Sequence, residues 1–229
     1  MTGKINPNTF KFLQELNLNN NREWFQAHKE RYLDAHSDVI EFAELLIDEM
    51  NHHDQLVPRT AKQSLFRIYR DIRFSKDKTP YKTGFMGSMK RDTKWLRGGY
   101  YFKIAPNNQT AIIGGFWGPN SSDITRIRQE IGSDPSPMRK IISARPFLNN
   151  FGQLDGDELK TAPKGFSKEH PDIDLLRKKQ FLLVRNFNDE AVLKSDFLTH
   201  VVKTFRAMRP FLDYMSEVLT TDENGVPIE

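Results

Sequence analysis

Cysteine is absent from the 229 residues, which removes disulfides, thiolate nucleophiles, thiolate-ligated zinc and cysteine-held iron–sulfur clusters together. A reducing compartment fits that absence. Glycine and proline are sparse, at 13 and 12 residues, so the chain is neither collagen-like nor low-complexity. No run approaches the roughly 18 consecutive apolar residues that cross a bilayer, and Met1-Thr2-Gly3-Lys4 carries no apolar signal-peptide stretch. The expectation is a cytoplasmic protein with no membrane partner.

What is present describes an ordinary globular chain, 38% hydrophobic and 28% charged. One core can support this length, so a single domain over residues 1–229 is expected, with two small domains as the alternative. The formal charge of +4 is a weak guide to partners, but its distribution is informative. Between Arg59 and Lys103 thirteen Lys or Arg stand against Asp71, Asp77 and Asp92, a local balance of +10 that leaves −6 for the rest.

Periodicity places helices at both ends. Phe10, Leu13 and Leu16 share a helical face, and Asn20 with Glu23 reads as a capping box opening a long helix over about 21–50 on the stripe Phe25, His28, Tyr32, Val39, Phe42 and Leu46. Residues 66–74 alternate, with Phe66, Ile68, Ile72 and Phe74 on one face, which favours a strand, although helical spacing is also met. Residues 100–104 and 110–113 flank the turn signal Pro106-Asn107-Asn108-Gln109 and predict a hairpin. Helices are expected near Ile124–Ile131, over about 135–144 and briefly at 173–176, with a strand at 181–184. The terminal stripe Val201, Phe205, Met208, Phe211 and Met215 is helical, with a kink or break at Pro210. Strands in the middle and helices at the ends predict an α+β fold: an antiparallel-rich central sheet covered by N- and C-terminal helices.

Several blocks are distinctive. Phe12-Leu13 through Asn19-Asn20, Trp24-Phe25, Tyr32, Phe66-Arg67-Ile68-Tyr69-Arg70-Asp71, Arg73 through Lys82, Ala162 through Phe166, His170-Pro171 and Leu175-Leu176-Arg177 closely resemble domain of unknown function family 2461 over nearly the whole chain. The resemblance implies one intact domain and transfers no activity and no catalytic residue.

The residues themselves point to an anion site. Arg70 breaks the alternation of 66–74, and because a buried lone charge costs several kcal/mol it should meet a carboxylate or an anionic ligand. Guanidinium forks suit phosphate and carboxylate. The candidate anion-binding set is therefore Arg67, Arg70, Arg73, Lys78, Tyr81 and Lys82, joined by Lys164 and Arg177 from the second distinctive block. The competing reading is an internal network of these arginines with Asp71 and Asp77. Nucleic acid is an alternative partner, because Tyr69, Phe74, Tyr81, Phe85, Trp95 and Tyr100-Tyr101-Phe102 interleave with the bases, although strand aromatics are more often core. A protein-interaction module, exposing an apolar patch about Phe116-Trp117, is the third reading, with both residues more readily placed in the core.

Catalytic signatures fail on spacing. Ser75-Lys76-Asp77-Lys78 and Lys82-Thr83-Gly84 match two penicillin-binding motifs but crowd into one loop, and neither Gly84–Gly87 nor Gly114-Gly115 forms a phosphate-binding glycine fingerprint. The six histidines make no metal-ligand pattern, and no cofactor is expected. Asp71, Asp77, Ser75, Tyr81 and His170 are acid, base or nucleophile types without a diagnostic arrangement, so the sequence leaves open whether the chain is an enzyme, along with its oligomeric state.

Overall fold

The computed structural model describes residues 3–222 and 224–228. Met1 and Thr2, which bear on the signal-peptide reading, lie outside the described residues. The elements run α1 (Pro7–Leu18), α2 (Arg22–Ala27), α3 (Lys29–Asn51), α4 (Ala61–Ser64), β1 (Phe85–Lys90), β2 (Gly99–Ile104) and β3 (Thr110–Phe116). They continue with α5 (Ser121–Ser133), α6 (Ser136–Ser143), α7 (Arg145–Phe151), α8 (Ile173–Leu176), β4 (Phe181–Phe187), α9 (Asp189–Val192) and α10 (Phe197–Thr220). The four strands form one antiparallel sheet in the order β1-β2-β3-β4, flanked by helices, which is the α+β class expected. No helix among the described residues is long and apolar enough to cross a membrane.

The chain divides into two compact units, each assembled from discontinuous segments. The first comprises residues 1–90, 101–112 and 186–203, and the second 91–100, 113–185 and 204–229. Strands β2, β3 and β4 and helix α10 contribute residues to both.

In the first unit Asn6 caps α1, accepting from the Asn8 N–H, and Pro7 stands at the first turn, where its missing N–H has no helical partner to lose. Phe12, Leu13 and Leu16 are then buried on the face toward α3. The long helix expected over 21–50 is two helices. Asn21, not Asn20, is the cap of α2, its side chain accepting from the Trp24 N–H at 2.8 Å. The chain breaks at His28, with φ −113° and ψ 25°, where the ring stacks on Trp24 at 4.1 Å and Nδ1 donates to the Trp24 carbonyl at 2.8 Å. Helix α3 then buries Val39, Phe42 and Leu46, with the Phe42 ring 6.0 Å from Phe102 and 5.5 Å from Phe197. The expected hairpin is present. Its turn holds Asn107 and Asn108 at positive φ, 64° and 59°, and both N–H groups donate to the Asp189 carboxylate.

In the second unit the α10 residues Phe205, Met208, Phe211 and Leu212 are fully buried. Pro210 sits inside a continuous α10, so the break allowed at this position does not occur. Apolar burial on both sides of the proline offsets its lost hydrogen bond. Arg91, part of the basic stretch, is completely buried and donates to the Asp213 carboxylate and, at 3.2 Å, to Ser216 Oγ. At the end of β3 Phe116 is buried as expected, but Trp117 is 66% exposed, because the strand ends at Phe116 and Gly118 turns the chain away at φ 68°.

Gly115 has φ +119°, and a Cβ built there would lie 2.1 Å from the Phe181 carbonyl oxygen. Gly115 therefore serves close strand approach, whereas Gly114 leaves room for the Met208 sulfur, which would lie 2.3 Å from a Cβ built there. Gly115→Ala is expected to lower the unfolding free energy by about 3 kcal/mol, whereas Gly118→Ala, with open space at its Cβ, should cost about 1 kcal/mol. Urea unfolding of the two variants measures the difference, and equal losses would refute the packing argument.

Candidate functional site

Segment 66–82 lies wholly in the first unit. It is extended but is not the regular strand expected for 66–74. Two isolated antiparallel bridges, Leu65 with Gly87 and Tyr69 with Tyr81, replace a ladder. The bridge partners are four positions apart along one side and six along the other, so regular pairing cannot continue through the bends at Thr83 and Gly84. The apolar face read from alternation is likewise not a core face: Ile68 is 3% exposed, but Phe66 is 43% and Phe74 95%.

Around Tyr69–Tyr81 the backbone pairing is regular. The Arg70 N–H donates to the Pro80 carbonyl and the Lys82 N–H to the Ile68 carbonyl, which makes Tyr69 and Tyr81 a non-hydrogen-bonded pair. The N–H and C=O of Tyr81 point the other way, to the Asn20 carboxamide: Oδ1 accepts from the Tyr81 N–H at 3.1 Å and Nδ2 donates to its carbonyl at 2.9 Å. Asn20 thus completes the pairing as a missing strand would. The Tyr81 ring stacks on Phe25 at 4.0 Å, and Tyr69 lies 5.4 Å from Tyr81 and 6.1 Å from Phe25. Burial and the neighbouring Tyr69 push the Tyr81 phenol above its ordinary value.

The eight candidate residues take different roles. Arg70 donates to Asp77 at 2.5 Å and to the Thr79 carbonyl and hydroxyl, closing the loop 70–79 on itself. Its expected carboxylate partner is Asp77. Arg73 grips Asp71 through both fork positions, Nε at 3.0 Å and Nη2 at 2.7 Å. Lys78 donates to the Ile72 carbonyl at 2.9 Å, and Tyr81, only 5% exposed, supports the segment from beneath. Lys82 donates to the Arg67 carbonyl at 2.6 Å, and its ammonium is pushed below its ordinary value by burial and then by the Arg67 guanidinium. Arg67 and Lys82 are therefore held near each other, and among the described residues no carboxylate is in ion-pair contact with either, although Asp71 is near enough for the Arg67 guanidinium to help hold its carboxyl down after Arg73. Lys164 and Arg177 lie in the second unit; Lys164 is exposed, while Arg177 donates to the Leu159 carbonyl at 2.6 Å and pairs with Glu158 at 3.8 Å.

Lys29 escaped the sequence reading. Its ammonium stands 4.8 Å from the Tyr32 ring and 5.4 Å from Phe25, so it edges the same aromatic cluster. The cavities of about 500 Å3 in the first unit and about 700 Å3 in the second are lined by residues outside 66–82. Among the described residues no group of three or more His, Asp or Glu is placed to hold a metal.

These features define an α+β protein that carries an open basic segment clasped by aromatic rings. A family model described as "Conserved hypothetical protein (DUF2461)" matches residues 8–214, and the chain belongs to that family. No curated protein and no solved structure matches it.

Asp77 is held down to about 2 from an ordinary 3.8, first by the Thr79 N–H, then by the Arg70 guanidinium and the Thr79 hydroxyl. Its carboxyl signal in an NMR titration should have a midpoint near 2. The loop order contributed by this carboxylate is complete above pH 3.8 and is lost as pH falls through about 2, since the unfolded chain binds the proton first. Thr79→Val should move the midpoint upward; an unshifted wild-type midpoint of 3.8 would show that the Arg70–Asp77–Thr79 contacts do not persist in solution. Asn20→Ala, which leaves the Tyr81 N–H and C=O unpaired, should destabilise the chain by about 1–3 kcal/mol in urea unfolding. A neutral Asn20→Ala would remove Asn20 as the anchor of the segment.

Proposed function

We propose that the chain binds the phosphate or carboxylate group of a ligand on segment 66–82, with Arg67 and Lys82 as the contacting cations and Lys76 and Lys78 contributing to the field. The observation that carries this reading is the juxtaposition of Arg67 and Lys82 without a paired carboxylate. Like charges held together destabilise each other, and an anion between them relieves that repulsion while accepting hydrogen bonds from both. Arg70 and Arg73, already engaged by Asp77 and Asp71, act by shaping the loop. Tyr81 acts by holding Lys82 in place. A binding role is better supported than catalysis, because Asp71 is held as a carboxylate by Arg73, Asp77 by the Thr79 N–H and then Arg70, and the Tyr81 phenol is raised by burial. The absence of cysteine favours a reducing compartment, and we place the protein in the cytoplasm on that basis.

The test is thermal unfolding with inorganic phosphate, pyrophosphate, citrate and mononucleotides, comparing wild type with Arg67→Ala. An anion at about 100 times its dissociation constant stabilises by roughly 2.7 kcal/mol and should raise the midpoint by about 5–10 °C. The rise should disappear in Arg67→Ala, whose exposed side chain makes the variant's own midpoint close to wild type. No rise with any anion, or an equal rise in the variant, overturns the assignment.

A further inference from the structure

We infer that the ligand class of this segment is single-stranded nucleic acid, with backbone phosphates on Arg67 and Lys82 and bases stacked on the exposed rings of Phe66, Tyr69 and Phe74. The inference rests on the anion-binding reading and gives it a ligand.

Three large rings are exposed within nine consecutive residues, Phe66 at 43%, Tyr69 at 47% and Phe74 at 95%. Most aromatic side chains of this unit are driven inward, as Phe12, Phe25, Phe42 and Phe85 are, so three outward rings in one short segment are a costly arrangement without a partner. Cations accompany the rings. The Lys82 ammonium lies 5.7 Å from the Phe66 ring and the Arg73 guanidinium 5.9 Å from Phe74, while Tyr69 edges the Phe25–Tyr81 stack beside Lys29. Across residues 66–82 six Lys or Arg face two Asp, and those two acids are paired with Arg70 and Arg73.

A small anion would use the charges and leave the rings bare, whereas a strand of nucleotides uses both. Each base brings a flat face for a ring and each linkage a phosphate for a cation, and every base has such a face, so the fit does not depend on sequence. A duplex hides those faces inside its own stack and is read by a helix or ribbon laid in a groove, which this irregular segment does not offer. An acidic peptide answers the charge, but its carboxylate side chains bring no ring to stack, whereas every nucleotide carries one. The exposure of all three rings is consistent with an extended occupant laid along the surface.

The experiment is fluorescence anisotropy with labelled 12-nucleotide single-stranded DNA and RNA at 50 and 200 mM salt. Competitors are the duplex of the same sequence, linear polyphosphate and polyglutamate. The single strands are expected to bind more tightly than all three competitors. Phe66→Ala and Phe74→Ala, both at exposed positions and checked for folding by circular dichroism, should each weaken binding by roughly 5- to 100-fold. Arg67→Ala should weaken it and flatten the slope of log affinity against log salt by about 0.7. If polyphosphate competes as well as the oligonucleotides, or the phenylalanine variants bind like wild type, the nucleic-acid inference is overturned while anion binding stands. Stronger competition by polyglutamate would instead assign the surface to an acidic protein. Failure of every anion to bind overturns both readings.

Discussion

The candidate site depends on how the backbone of Tyr81 is held. Its outward N–H and C=O would be unpaired at the edge of a two-strand contact, and the single carboxamide of Asn20 satisfies both. The ring is fixed at the same time by stacking on Phe25, a buried residue of α2. A segment with only two isolated bridges is thereby anchored to the helical layer. Lys82 follows directly in the chain, so its ammonium is delivered to the Arg67 carbonyl as a consequence of that anchor. The break at His28 belongs to the same arrangement, since Trp24 and Phe25 of α2 and Tyr32 of α3 stand in one ring cluster with Phe12.

Charge in the basic stretch is not one property but three. Arg91 is core, compensated by Asp213 and Ser216 in the second unit, and its neighbourhood is ordered around that compensation: Ser216 also accepts from the Arg97 N–H, and Arg209 shares Asp213. Arg70 and Arg73 are paired within their own loop. Arg97 is paired with Asp123, whereas Arg67 and Lys82 have no carboxylate in ion-pair contact among the described residues. A count of +10 over residues 59–103 overstates the available field, because Asp213 and Asp123, which lie outside that stretch, compensate Arg91 and Arg97.

Much of the architecture was legible in the pattern of side chains. Apolar periodicity located α1, α5, α6 and α10, and Pro106–Gln109 located the hairpin, because helix faces and turn chemistry are local and each stretch carries its own signal. The misreadings came where other contacts departed from that signal. At His28 the backbone leaves helical angles, with the ring Nδ1 on the Trp24 carbonyl, although the apolar periodicity continues unbroken. In 66–74 the alternation of apolar residues implied a buried face, but the pairing lost its register at Thr83–Gly84, leaving Phe66 and Phe74 outside. Lys29 could not be found from sequence at all, since its nearness to the Phe25 and Tyr32 rings becomes meaningful only once Tyr69 and Tyr81 pack on the same cluster.

By itself the sequence determined the α+β class, the family and the address of the basic aromatic segment, because composition, local periodicity and a long distinctive block are all properties of neighbours along the chain. Which cations in that segment are available was decided only by the tertiary structure. Availability depends on where Asp77, Asp71 and the Arg67 carbonyl come to rest, and on whether Asn20, some sixty residues earlier in the chain, reaches the backbone of Tyr81.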